Sequence, residues 1–172
     1  MILPILSISA NFILDPYFYQ EFAENGNLRS VTVNGAQYCE MLEDYVIPQL
    51  AEMEVLDDAI WMQDGVPVHT KRVVTDLLRR EFGNNRVISR RFPLAWPAHS
   101  PILTPCDFLW GYLKSLVYRQ PPRTMLELRQ SIANAVRSIP PELLRKAVCH
   151  NVDRMQLITD NSGGHIEQLL NR

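Results

Sequence analysis

AIWMQDGVPVHT (residues 59–70) joins a short apolar run to a turn and then to the start of a helix. The rest of the chain is understood from it. Ala59–Gln63 has the length and apolar character of a buried central strand, and the Asp-Gly pair that follows it is a turn signal. Asp64 therefore closes the strand. His69–Phe82 then predicts an amphipathic helix with Val73, Val74, Leu77, Leu78 and Phe82 turned inward, and Gly83 with Asn84 marks its stop. Arg86–Ser89 reads as a short last strand. A strand, a helix and a second strand in that order predict an α/β fold.

Upstream, residues 5–12 and 16–22 have the composition of two strands joined by a turn near Leu14–Pro16, and Val31–Val33 adds an extended piece before Asn34–Gly35. From Gln37 to about Glu54, Tyr38, Met41, Leu42, Tyr45, Val46 and Leu50 recur every three or four residues, so a helix is expected, with Pro48 kinking or ending it early. Downstream, Pro93–Pro105 reads as a rigid irregular loop. Thr104–Tyr118 predicts a helix with Thr104 as N-cap, Pro105 at the first position and Asp107 three residues past the cap. Thr124–Ser138 places Met125, Leu128, Ile132 and Val136 on one face. Pro141–Asp160 does the same with Leu143, Leu144, Ala147, Val148, Val152, Met155 and Leu157, before Gly163–Gly164 and a final HIEQLL turn. No repeat or flexible linker divides the chain, so residues 1–172 are expected to form a single domain.

The 172 residues are 47% hydrophobic, with three Trp and six Phe, which suits a domain with a real core rather than disorder. Three scattered cysteines, at positions 39, 106 and 149, suggest neither a disulfide framework nor a zinc ribbon, and point to a reducing compartment. The opening MILPILSISANFIL lacks a basic n-region and is interrupted by Pro4, so it does not read as a secretory signal. No run approaches the roughly 20 apolar residues of a membrane span, and no membrane partner is expected.

Charge is divided unevenly along the chain. Residues 1–60 hold ten acids against Arg29 alone, a net of −9, whereas residues 61–172 hold sixteen Lys or Arg against nine acids, a net of +7. Lys71, Arg72, Arg79, Arg80, Arg86, Arg90 and Arg91 crowd one stretch. A polyanion would meet that half first; ordinary solvated helix faces would give the same pattern.

Two acids stand where a phosphate-cutting metal site would need them. A strand end carrying Asp64 and a helix start carrying Asp107 can converge in space, and hard carboxylate oxygens suit magnesium or manganese. Two such ions held about 4 Å apart would activate the attacking oxygen and steady the leaving oxygen of a phosphodiester. Each acid also has a plain structural use. Asp-Gly favours turns, and an acid three residues past an N-cap stabilises exposed amides. Lys114, two turns beyond Asp107, is placed to reach a phosphate. Phe108, Leu109 and Leu116 favour core packing over base stacking for Trp110, Tyr112 and Leu113. His99, His150 and His165 lack zinc spacing and read as polar surface groups.

The segments WMQDGVPVHT, SPILTPCDFLWGYLKSLVY, PRTMLELRQSI, SIPPELLRK and GGHIEQLL, in this order, resemble the DDE catalytic region of mariner-type DNA transposases over nearly the whole chain. The resemblance implies a ribonuclease-H-like core with a helical C-terminal part, and cut-and-paste chemistry through three carboxylates. Asp64 and Asp107 match two of them as catalytic metal ligands. The first Asp belongs on a strand upstream of the region that SISANFILDPYFYQ resembles, so the expectation is an N-terminally truncated core, inactive alone, that binds Mg or Mn weakly. His69 either caps its helix or, by likeness to the family's matching His, lies near the metals. With Lys71, Arg72 and Lys114 it forms the expected nucleic-acid contacts. DNA is the implied partner, a nuclear location follows, and a homodimer is one assembly left open. The alternative is a repurposed non-enzymatic DNA- or protein-binding domain. Ile102 replaces the Asp of the family's SPDL motif, Val68 replaces a usual Pro, and the 43-residue interval between the two acids is long for the family.

Overall fold

The structure, a computed structural model, describes residues 5–22, 28–96 and 104–160. His99, Ile102, His165, the Gly163–Gly164 break and the HIEQLL turn lie outside the described residues. The described chain gathers into two compact units. One holds Ile5 with residues 17–22 and 28–96, the other residues 6–16 and 104–160.

In the first unit, β1 (Gln20–Phe22) pairs antiparallel with β2 (Leu28–Ser30), Gln20 lying opposite Ser30. The extended piece expected at Val31–Val33 thus falls a few residues earlier. The helix α1 (Gly35–Met41) begins two residues before the apolar stripe suggested, because Asn34 caps it. Asn34 Oδ1 accepts from the amides of Ala36 and Gln37 at 2.9 and 3.0 Å, and Gln37 Oε1 accepts from the Asn34 amide at 3.0 Å. Three otherwise orphaned donors are satisfied, those of Asn34 and Gln37 reciprocally.

Pro48 does not end this helical run. Leu42–Val46 winds as a wider π-helical stretch, in which the Ile47 amide reaches back to Leu42 O, and α2 (Ile47–Glu52) continues through the proline. A proline ring collides with the carbonyl four residues back in an ordinary α-turn, and a single widened turn is a common way to absorb it. Glu54, at φ 57°, then takes the chain out of the helix.

β3 (Trp61–Met62) and β4 (Val87–Ile88) pair in parallel, Trp61 opposite Val87. The amides of Trp61 and Gln63 donate to Arg86 O at 2.8 Å and Ile88 O at 3.0 Å. Parallel strands need a crossover, and α3 (Arg72–Phe82) supplies it. Val74, Leu77, Leu78 and Phe82 are all buried, each apolar side chain contributing about 1.5–3 kcal/mol. Val73, expected inward, is 46% exposed, and Thr75 is buried in its place. At 100° per residue the stripe through 74, 77, 78 and 82 leaves 73 on its outer margin. Gly83 ends α3 at φ 71°, a conformation open to a residue without Cβ.

In the second unit, Ile8 pairs antiparallel with Ile13, and Ser9 N–H donates to Phe12 O at 2.8 Å. The turn therefore lies at residues 9–12 rather than near Leu14–Pro16; Leu14 instead packs as a buried side chain. Three helices follow: α4 (Pro105–Val117), α5 (Met125–Arg137) and α6 (Pro141–Asp160). Leu109, Leu113 and Val117 of α4 are buried, as are Ile132, Ala135 and Val136 of α5 and Leu144 and Ala147 of α6. Val152, expected on the apolar face of α6, is 61% exposed, and Asn151 is buried instead. No described helix is long and apolar enough to cross a membrane.

Candidate functional site

Asp64 follows the carboxyl end of β3, the side of a parallel sheet on which ligands usually bind. Its Oδ1 accepts the Val66 amide at 3.1 Å, closing a tight Asx-type turn, and lies 2.8 Å from Nδ1 of His69. The His69 hydrogen bond is the main reason the Asp64 carboxyl is held below its ordinary range, against an opposing push from burial, with the Val66 amide adding to the lowering. An ionised carboxylate offers only acceptors, so Nδ1 carries the proton that it donates. Both hydrogen bonds from described residues fall on Oδ1. Oδ2 is left for another partner on a side chain that is 32% accessible. A hard oxygen, ionised and pre-oriented by a neighbour, fits a hard divalent cation.

His69 does not cap α3. Lys71 occupies the N-cap with extended backbone and no side-chain capping bond, while His69 sits in the preceding turn with its ring 4.6 Å from that of Tyr38. Its carbonyl accepts from Gln63 Nε2 at 3.0 Å. The same nitrogen donates to Ser89 Oγ at 3.1 Å, and Gln63 Oε1 accepts from Trp61 Nε1 at 3.1 Å and Tyr38 OH at 3.3 Å. Gln63 escaped sequence reading because it passed for the polar end of a strand. The available signal was a glutamine inside an otherwise apolar run.

Asp107 belongs to the second unit, exposed in the first turn of α4. Thr104 occupies the N-cap as expected, but its hydroxyl makes no capping bond; the Asp107 amide bonds the Thr104 carbonyl at 3.2 Å instead. Lys114 is exposed in the last turn of the same helix, where a cation also complements the helix dipole. Of the three side chains expected to pack in the core, Leu113 is fully buried beside Leu109, while Trp110 and Tyr112 are only half-buried; Phe108 is 40% exposed and stacks on exposed His150 at 6.2 Å. Among the described residues, no group of three or more His, Cys, Asp or Glu side chains is arranged to hold a metal ion.

The seven clustered cations separate by partner. Arg86 donates to the carbonyls of Leu56 and Ala59 at 2.7 and 3.1 Å and lies over the Phe82 ring, so it staples the fold. Arg80 pairs with Glu43 and Glu81, each at 2.7 Å, and Arg79 bonds Asp76 and the Arg91 carbonyl. Arg72 makes a loose 3.5 Å pair with Asp76 from a side chain that is 95% exposed. The stem of Lys71 packs on Gly35. Arg90, read from the sequence only as one of the basic cluster, is exposed beside the Asp64 turn, its Cδ 3.6 Å from where a Cβ on Gly65 would lie.

No protein-family model matches the chain. It is 32% identical over 111 residues to the transposable element Tc3 transposase of Caenorhabditis elegans, an alignment covering 63% of this chain and 31% of that protein. The chain thus spans about a third of the length of this curated relative. The Mos1 transposase catalytic domain, solved with Raltegravir and Mn, superposes at a TM-score of 0.74 with 18% identity, covering 94% of this chain and 76% of that one. The Mos1 mariner paired end complex with Mn superposes at 0.73 with 19% identity, covering 94% and 44%. At such identities the structural likeness speaks for the fold, and that fold is ribonuclease-H-like. The chain is thus similar in sequence to the Tc3 transposase over 111 residues and shares its fold with the Mos1 transposase catalytic domain.

Proposed function

We propose that the chain is a remnant of a cut-and-paste DNA transposase catalytic domain, in which Asp64 and Asp107 are metal-ligating carboxylates. The observation that carries this reading is the state of Asp64: ionised, following the carboxyl end of β3, and anchored through Oδ1 to His69 while Oδ2 takes no hydrogen bond from the described residues. Magnesium or manganese bound there would supply the Lewis acidity for phosphodiester hydrolysis and strand transfer. The Mos1 catalytic domain solved with Mn and with Mg supports that choice of ion. His69 holds Asp64 in place, and exposed Lys71, Arg72 and Lys114 contact DNA phosphates. The resemblance calls for three carboxylates and the matching motifs supply two, so the chain alone binds the ion weakly and does not cut. DNA as partner, a nuclear location and a homodimer belong to the same proposal.

Manganese added to the isotope-labelled chain should broaden the NMR signals of Asp64 and Asp107, and Asp64→Asn should remove the first effect. DNA nicking with magnesium or manganese should be absent. Metal-dependent cleavage abolished by Asp107→Ala would mean that another carboxylate completes the site. DNA binding should weaken with salt, and removing one phosphate-contacting Lys or Arg should lower the salt slope by about one. Binding indifferent to salt would exclude phosphate contacts. Salt-sensitive binding without manganese broadening would favour a non-enzymatic DNA-binding domain.

A further inference from the structure

We infer that Gln63 is a positioning residue for the Asp64–His69 pair, fixing from the interior of the unit the direction in which the Asp64 carboxylate points. The inference deepens the metal-ligand reading of Asp64 and rests on it. The side-chain amide of Gln63 is buried and saturated: two donors reach Oε1, and Nε2 reaches two acceptors. Its orientation is dictated by chemistry. The Trp61 indole nitrogen can only donate and the His69 carbonyl can only accept, so a flipped amide would set donor against donor and acceptor against acceptor.

Through these bonds one side chain joins the end of β3 to Ser89 just after β4, to α1 by way of Tyr38, and to the turn that carries His69. Tyr38 meets His69 twice over, its hydroxyl bound to Gln63 and its ring against the imidazole. The backbone and ring of His69 are thereby held from two sides, and the 2.8 Å bond to Asp64 passes that constraint to the carboxylate. Groups behind a metal ligand commonly set ligand geometry in this way.

Gln63→Glu isolates the effect. A carboxylate at this position still accepts from Trp61 and Tyr38, and the Ser89 hydroxyl can turn to donate to it, but nothing is left to donate to the His69 carbonyl. Two measurements on the full chain decide. Nitrogen-15 shifts of the His69 ring should show Nδ1 protonated and hydrogen-bonded in the starting protein, and that signature should be lost in Gln63→Glu. Affinity for manganese alone, read from broadening at Asp64, should fall about 10- to 100-fold. Val74→Ala, which loosens the core without touching this network, should leave the ring signature intact. An unchanged signature in Gln63→Glu overturns the inference. Absence of manganese broadening in the starting protein would overturn the metal reading of Asp64, while the ring signature still decides the role of Gln63. If Gln63→Glu does not fold, Tyr38→Phe, which removes one partner of the amide and keeps the ring contact, should weaken the signature; no change there overturns the inference equally.

Discussion

Gly35→Ala sets two effects of opposite sign against each other. Alanine is the better helix former by up to about 1 kcal/mol, and Gly35 opens α1. On propensity alone the substitution stabilises. A Cβ at this position, however, would lie 2.6 Å from Cγ and 2.8 Å from Cβ of Lys71, against about 3.5–4.0 Å for comfortable carbon contact. Rotation of the lysine chain can remove the first overlap. It cannot remove the second, because Cβ is fixed to the backbone at the N-cap of α3, so α1 and α3 must separate by roughly 1 Å. Overpacking of this kind costs about 1–3 kcal/mol, and a central cost of about 2 kcal/mol less a propensity gain of up to about 1 kcal/mol leaves a net loss of about 1–2 kcal/mol. A chain of this size should then melt about 2–8 °C lower. Urea unfolding followed by circular dichroism and tryptophan fluorescence should show a lower midpoint at unchanged slope. Lys71→Gly in the same chain removes both contacted carbons and should recover part of the loss through a favourable coupling energy. A midpoint equal to or above that of the starting protein would refute the steric argument.

Val74→Ala should cost about 2 kcal/mol, while Val73→Ala should stay within about 0.5 kcal/mol, since the first side chain is fully buried and the second half exposed. Equal effects in urea unfolding would contradict the assigned face of α3. Asp64→Asn changes the response to acid. A carboxyl held below its ordinary range in the folded state contributes stability above about pH 4, and that contribution disappears as the pH falls through the folded value. The unsubstituted chain should therefore lose more stability than Asp64→Asn as the pH falls below about 4. Parallel acid-unfolding curves would show that the His69 bond does not bias Asp64.

Local pattern alone determined much of this protein. The AIWMQDG run placed β3 and its turn, the 74–77–78–82 spacing and Gly83 placed α3, and the run of helices from residue 104 followed from periodicity and capping residues. The same segments carried the resemblance that likeness to Tc3 and Mos1 transposases supports. Such signals are encoded within a few turns of chain, where hydrophobic spacing and backbone preference act without distant partners. What depended on distant partners was invisible until the chain was folded. Nothing in the spacing says that Gln63 meets Tyr38 and Ser89, 25 and 26 residues away in sequence, or that Arg86 is spent on carbonyls about 30 residues upstream. Pro48 forbids an ordinary turn, but only the folded chain shows that the helix widens and continues rather than stops. His69 shows why. Its residue type left open a helix cap or a place near a metal, and only folding, which gives the N-cap to Lys71 and brings Nδ1 within 2.8 Å of one Asp64 oxygen, decided against the cap.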